Sequence, residues 1–474
     1  VGHGGPDAPP ARRGADVMTG VSRRGLLGAG AAVAALPTVA AARSSRPAPL
    51  AEPELPDLSF LRSTPLADRE RLSRFMRAAG LDALVVTHPA NVFYTTNHWP
   101  QLDRMGLDGA GIAIVPADAR APIALVMHAF LYYYTHSPES DFTDRAVFTY
   151  TQPVGPEVAG AEPKAQAART MRVVDDARVT PLDRHRVDMF GRTTGPSADA
   201  SWALRKAMVA LRLDHAAVGI DDPVLEAALK LRGFAGTTAP GENVLRQARL
   251  AKSPAELRLM RIASAANVAA AMAAAGRTRD LGTSRRLRAE FYAEAARRGN
   301  SGHFMVIAGT SSEALDQPLA DGSAVSIDCV STCRFYHGDF ARTIYVGEPP
   351  LAVRRAVDAI QVAWHEIRDQ LRPGMRFADV SRIGRESLKA QGADVSVAFT
   401  PHSVGLFHTD HPQPSLIAPR TVEDLRLEKD MVLSVDCPVF MAGLGGTIHY
   451  EDLMLIRDGP AEPIHAVPPP VIIV

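Results

Sequence analysis

The chain has 474 residues, more than one hydrophobic core usually serves, so two domains are expected. A composition of 46% hydrophobic, 22% charged and 6% aromatic residues is that of an ordinary soluble enzyme and excludes a fibrous or disordered chain. The 52 basic residues balance 52 acidic ones, which leaves no net field to draw the chain to nucleic acid or anionic lipid.

Residues 1–45 read as a leader. Arg23 and Arg24 sit in a twin-arginine signature running from Ser22 to Leu27. An Ala/Gly stretch to Ala42 follows, ending in the small-residue run Ala40 to Ala42 suited to cleavage. Export by the Tat pathway to the periplasm or cell exterior is the expectation. Met18 stands just upstream, so residues 1–17 read as an extension or a mis-set start. The apolar stretch is short of the ~20 residues a span needs and no later one reaches that length, so the processed chain is expected off the membrane. Cys329, Cys333 and Cys437 lack metal-binding spacing and read as buried small residues.

Short apolar runs at Leu81 to Val86, Gly111 to Val115, Pro122 to Met127 and Ala217 to Asp221 predict strands. Between them lie helical patterns such as Asp68 to Ala79, with Leu72, Phe75 and Met76 on one face, giving an α/β domain over 55–245. A linker is expected from Gly236 to Gly241. The second domain, 250–474, opens on a helix start: Ser253 as cap, Pro254 in the first turn, Glu256 completing a capping box, and an apolar face running to Gly276. Further helices are predicted at Ser284 to Arg298, Leu351 to Leu371 and Phe377 to Ala390. Strands are predicted at Ala324 to Cys329, Thr343 to Val346, Met431 to Cys437 and Asp452 to Ile456. No internal repeat is convincing from the sequence.

Four acidic residues and one histidine in this second domain fall at predicted strand ends or edges. Asp328 closes one strand and Asp339 follows eleven residues later, so a hairpin could bring the two carboxylates together. His402 opens a His-rich irregular loop containing Gly405, His408 and His411; Asp436 ends a strand and Glu451 opens the next. Four carboxylates packed together unpaired would be very costly, and divalent cations remove that cost. Oxygen-rich ligation with one imidazole suits Mn²⁺, Co²⁺, Fe²⁺ or Zn²⁺, with manganese the first choice. Two such ions can activate water and polarise a carbonyl, which is hydrolase chemistry.

The order and context of these five residues resemble the pita-bread metallohydrolases: methionine aminopeptidase, aminopeptidase P, prolidase and creatinase. The run from Leu81 to Thr96 resembles the start of a creatinase-type N-terminal domain. Lys252 to Arg261 resembles the first catalytic helix, and Gly338 to Thr343 the second metal-aspartate strand. The resemblance implies an α/β (α+β) chain: a creatinase-like N-terminal domain, then a pita-bread catalytic domain. It implies two metal ions held by Asp328, Asp339, His402, Asp436 and Glu451, with Asp436 in the place of a glutamate that also serves as general base. It further implies an Xaa-Pro aminopeptidase or dipeptidase-like activity on a small peptide or amide, and a homodimer. A hydrolase or lyase of a small non-peptide substrate, or a non-catalytic binding module, are the alternatives.

Departures from the peptidase pattern bear on specificity. Asp436 is one methylene short; His449 stands where aminopeptidase P carries arginine; Asp316 and Gln317 lie where a histidine precedes the first metal strand. Either His408 or His411 could steady the tetrahedral intermediate, and His411, before Pro412, is preferred. His303 is a pocket candidate, though a structural role is the more frequent one. His98 and Trp99 either reach a partner's site or pack locally, and Arg342 is expected to support Asp339.

Overall fold

A computed structural model describes residues 53–99, 105–107, 109–136, 145–152, 162–163, 173, 178–413 and 424–474. The segment read as a twin-arginine leader lies outside the described residues. The described residues all fall in one compact unit, 52–474. Among the described residues no helix is long and apolar enough to cross a membrane.

The N-terminal part is a seven-stranded sheet of β1 (Ala83–Val86), β2 (Gly111–Pro116), β3 (Ile123–His128), β4 (Arg145–Gln152), β5 (Thr194–Asp199), β6 (Ala217–Ile220) and β7 (Thr237–Pro240). Their order is β5-β4-β3-β2-β1-β6-β7; β2 runs antiparallel to both neighbours and the other pairs are parallel. Side chains alternate across a strand, and here both faces are apolar. Leu84, Val86, Val115 and Leu125 enter one core; Val85, Ile112, Ile114 and Val126 enter another on the opposite face. Helices α1 (Arg69–Ala78), α2 (Pro89–Thr96), α3 (Ala129–Thr135), α4 (Pro181–Gly191), α5 (Ala200–Ala210), α6 (Val224–Lys230) and α7 (Glu242–Leu250) complete this part.

The expected linker from Gly236 to Gly241 is not one. Thr237 to Pro240 form β7, paired in parallel with β6. This strand lies at the sheet edge with mostly exposed side chains, so no hydrophobic period marks it, and Pro240 is tolerated at its end. Nor is the junction loose. One core joins Leu84, Tyr94 and Leu245 to Leu259, Met260, Val404 and Leu453 of the second part.

That second part begins with α8 (Pro254–Ala275), where the Ser253 hydroxyl accepts from the Glu256 amide and the Glu256 carboxylate accepts from the Ser253 amide. After a short α9 (Thr278–Leu281), α10 (Ser284–Arg297) leads into β8 (Ser301–Ile307), β9 (Ala324–Cys333) and β10 (Tyr336–Tyr345), an antiparallel sheet. Then come α11 (Leu351–Gln370), α12 (Phe377–Ala390), β11 (Thr400–Ser403) and β12 (Val432–Asp436), with β13 (Glu451–Asp452), β14 (Met454–Leu455), β15 (Glu462–Pro463) and β16 (Val471–Ile473) closing the chain. Helices followed by antiparallel strands thus occur twice, an order the sequence does not reveal. The first helix pair packs on Ile327, Cys329, Phe340 and Ile344; the second packs on Leu433, Val435 and Met454. Gly338 lets α8 approach β10: a Cβ there would lie 2.5 Å from Asn267 Cβ and 2.7 Å from the Ala263 carbonyl oxygen.

Candidate metal centre

Strand alternation sorts the side chains. On β9, Ile327 and Cys329 face the helices, so Asp328 faces the other way; on β10, Phe340 faces the helices and Asp339 and Ala341 do not. Asp328 is not the end of its strand, as read from the sequence, but lies in the middle of a longer one. It stands opposite Ala341, which in turn stands opposite Glu451 of β13, and Asp339 lies two residues along the same face. In the second sheet Leu433 and Val435 take the helix side, leaving Ser434 and Asp436 inward, with His402 opposite Ser434. The site therefore lies between the two inner faces.

His402 Nε2 is 3.5 Å from Asp436, 3.6 Å from Asp339 and 3.8 Å from Glu451. His408 Nε2 lies 3.2 Å from Asp339. Three triads have ligand atoms within 4.8 Å of one another: Asp339-His402-His408, His402-Asp436-Glu451 and Asp328-Asp339-Glu451. Glu451 and Asp339 each belong to two of them, and Asp328 and Asp436 lie in different triads. All five residues read from the sequence are thus brought together, and the shorter Asp436 still reaches the cluster.

A cation fits this donor set. Asp328 Oδ1, both Asp339 oxygens, His402 Nε2 and Glu451 Oε2 are buried and without a hydrogen-bond partner among the described residues. Such orphaned polar groups are costly unless something coordinates them. The His402 ring is already oriented: its Nδ1 lies 3.2 Å from the His408 carbonyl oxygen, which can only accept, so Nε2 carries the lone pair when the ring is neutral. The Ser434 hydroxyl donates to Glu451.

Electrostatics give the same reading. Burial, then the charges of Asp339 and Asp436, push Asp328 and Glu451 well above the carboxylate range. Burial also acts to raise Asp339, but His408 and His402 hold it below its usual value; Asp436 is likewise lowered, against burial, by His402. Burial lowers His402, yet Asp436 and Asp339 lift it to about 9. Without a cation the cluster stores protons, and a cation would displace them.

Three residues of the cluster, Asp328, His408 and Asp436, are partly exposed. Asp436 is 30% and His408 31% exposed, while Asp339 and Glu451 are essentially closed off at 0% and 1%. Around this opening stand residues that the sequence did not single out. Phe304 packs edge-on against His408 at 5.1 Å, and His337 faces His303 at 5.0 Å. His337 donates from Nδ1 to the Gly405 carbonyl, and burial holds it neutral, down to about 3. Its place two residues before Asp339 on the same face was the available signal. His303, exposed beside it, is a mouth residue.

Several expectations need correcting. His408, not the preferred His411, is the histidine at the cluster; His411 accepts the Ser403 amide at 3.3 Å and packs on Phe377, and burial and His402 lower it to about 4. Arg342 does not brace Asp339. Three residues along a strand place it on the opposite face, where it donates to both Asp452 oxygens at 2.7 and 2.8 Å and to the Glu451 carbonyl at 2.7 Å. Asp316 accepts the Arg285 amide at the start of α10, and the Gln317 carbonyl accepts from Ser284. His98 is buried and bonded to Thr135, and Trp99 packs on Phe93 and Phe335, so both serve local packing. His449 is buried behind Glu451, 3.8 Å away. The three cysteines are buried and unbridged.

Comparison with known proteins agrees with this architecture. Residues 258–458 match the metallopeptidase family M24 and residues 69–179 the creatinase/prolidase N-terminal domain. A methionine aminopeptidase of Borreliella burgdorferi is 24% identical over 158 residues, 30% of this chain and 62% of that one. A probable dipeptidase PepE of Mycobacterium bovis is 29% identical over 161 residues, 34% of this chain and 41% of that one. The chain thus spans about half the length of the curated relatives it matches. Among solved structures, dipeptidase PepE of Mycobacterium ulcerans superposes with a TM-score of 0.57 at 20% identity, over 89% of this chain and 100% of that one. The X-Pro aminopeptidase of Thermotoga maritima gives 0.61 at 16% identity, over 85% and 100%. These two show a shared fold. With both domain matches in chain order and the carboxylate-histidine cluster inside the second, the chain carries an M24 metallopeptidase domain preceded by a creatinase/prolidase N-terminal domain.

Proposed function

We propose that the chain is a peptidase that uses two divalent cations to hydrolyse short peptides, with Xaa-Pro bonds as the preferred target. The observation that carries this reading is the set of interlocking triads, in which Asp328, Asp339 and Glu451 form one group, Glu451 also joins His402 and Asp436, and Asp339 also joins His402 and His408. Asp328, Asp339 and Glu451 would hold one ion, and Asp339, His402, Asp436 and Glu451 the other. When bound, the ions supply Lewis-acid polarisation of a carbonyl and a more acidic water.

The protein's own groups divide the remaining work by exposure. Asp436, a carboxylate 30% exposed at the opening, accepts the proton as general base. His408, at the opening with its Nε2 toward Asp339, donates a hydrogen bond to the oxyanion. Phe304, His303 and His337 form the wall against which a substrate is oriented. Titratable His449 behind Glu451, in place of an arginine, would make the support of that carboxylate depend on pH. Manganese is the first ion to try, a homodimer the proposed assembly, and the twin-arginine leader the basis for proposing export beyond the cytoplasm.

The test is metal content together with cleavage of an Xaa-Pro peptide panel, with and without Mn²⁺, beside an Asp339→Ala control. Two ions per chain, metal-dependent cleavage and an inactive control are expected. Two ions without cleavage would move the substrate outside peptides, and cleavage that survives both metal removal and Asp339→Ala would end the mechanism.

A further inference from the structure

The loop that carries His402 and His408 is tied to the N-terminal part by a buried charged network. Arg249, the penultimate residue of α7, has no exposed surface. Its Nε donates to Asp410 at 2.9 Å and 3.3 Å, its Nη1 to Asn91 of α2 at 3.0 Å, and its Nη2 to Glu242 at 3.3 Å. Asp410, equally buried, lies two residues from His408 and accepts the Leu406 amide at 3.1 Å, while its own amide donates to the Ser403 carbonyl at 2.7 Å. Lys252 closes the arrangement, donating to the Arg249 carbonyl at 2.6 Å and reaching Ser403 Oγ at 3.4 Å. The Arg249 guanidinium also lies over the Phe407 ring, 5.2 Å from its centroid. Gly405 is the residue that makes room, since a Cβ there would fall 2.6 Å from Asp410 Oδ2 and 2.9 Å from Lys252 Nζ.

None of these groups touches the carboxylate-histidine cluster, yet they fix both ends of the loop that presents its imidazoles. The His408 carbonyl, which orients His402, is set by the same loop conformation. We propose that Arg249 is a positioning residue: anchored on Asn91 and Glu242 and paired with Asp410, it holds the loop so that His402 and His408 are pre-set for cation binding. This makes the N-terminal part a structural component of the metal centre. The inference rests on the cation-binding half of the function proposed above and not on any substrate.

The experiment uses the full chain and Co²⁺ as the probe, comparing wild type with Arg249→Gln, Arg249→Lys and Asp410→Asn. Arg232→Gln, which breaks a buried N-terminal ion pair to Asp199 away from the loop, controls for a general loss of stability. Arg249→Gln and Asp410→Asn are expected to weaken Co²⁺ binding about 10- to 100-fold and to change the visible spectrum of the bound ion, the range typical of groups that orient ligands. Arg249→Lys should restore binding only partly, because one ammonium cannot span Asp410, Asn91 and Glu242 together. Arg232→Gln should lower the melting temperature and leave both Co²⁺ readouts unchanged. Amide hydrogen exchange over 402–411 in the metal-free chain is the independent readout and should speed up in the first two variants. Unchanged affinity, spectrum and exchange in Asp410→Asn and in whichever Arg249 variants fold would overturn the proposal. If the wild type takes up no Co²⁺, the metal-site reading fails by itself, and the exchange data still decide whether Arg249 holds the loop.

Discussion

Titrating Mn²⁺ into the metal-free chain at pH 7 should release about two to three protons per chain. The number follows from the site. Burial and the neighbouring carboxylates raise Asp328 and Glu451 well above the carboxylate range, and Asp436 and Asp339 lift His402 to about 9, so these three are the groups expected to give up protons. Asp339 and Asp436 are lowered and have none to give. Because raised groups must deprotonate before they can ligate, apparent affinity should climb with pH, by about 100- to 1,000-fold per pH unit for two to three protons, until those groups ionise unaided. Calorimetry in buffers of differing ionisation enthalpy gives the count as the slope of apparent enthalpy against buffer enthalpy. Asp328→Asn should reduce the slope by about one proton. A slope near zero with tight binding would refute the reasoning, since it would mean that the cluster is already fully ionised before the metal arrives.

Three further outcomes are expected. His408→Ala should lower kcat by about 10²–10⁴-fold with little change in KM, while His411→Ala should cost less than about tenfold; steady-state kinetics on the substrate found above decide, and equal losses would return His411 to the mechanism. Gly338→Ala should destabilise the chain by about 1–3 kcal/mol in urea unfolding, because its Cβ meets the Ala263 carbonyl of α8, and a neutral substitution would show that the contact can relax. Burial, opposed by Lys252, lifts the Glu256 carboxyl from 4.5 to about 7, so its proton contributes about 3 kcal/mol to folding below pH 4.5. That contribution fades as pH rises through about 7, and Glu256→Gln should remove it. The stability difference between wild type and variant, followed from pH 4.5 to 8, should therefore grow in the variant's favour, and a flat difference would rule out the raised carboxyl.

What the sequence discloses here is what repeats locally. The capping box at Ser253 and Glu256, the apolar runs of β1 to β3 and the acidic residues at Asp436 and Glu451 each advertise themselves within a few residues, and each lies where it was read. What it conceals depends on partners far away in the chain. β7 has no hydrophobic period because its stabilisation comes from backbone pairing to β6 at an exposed edge. Arg342 looked like a support for Asp339 because the two are close in sequence, whereas strand alternation sends it to Asp452, 110 residues on. The choice between His408 and His411 is similar. Proline after His411 suggested a fixed functional position, but the loop's course is set by Asp410 turning inward to Arg249, 161 residues earlier. Once that carboxylate is buried, His408 is carried to Asp339 and His411 to the Ser403 amide on the other side. The histidine presented at the centre thus draws on an ion pair between the two parts of the fold, one of several ties on the loop beside those from Arg246 and Lys252, and it is this tie that Arg249→Gln removes.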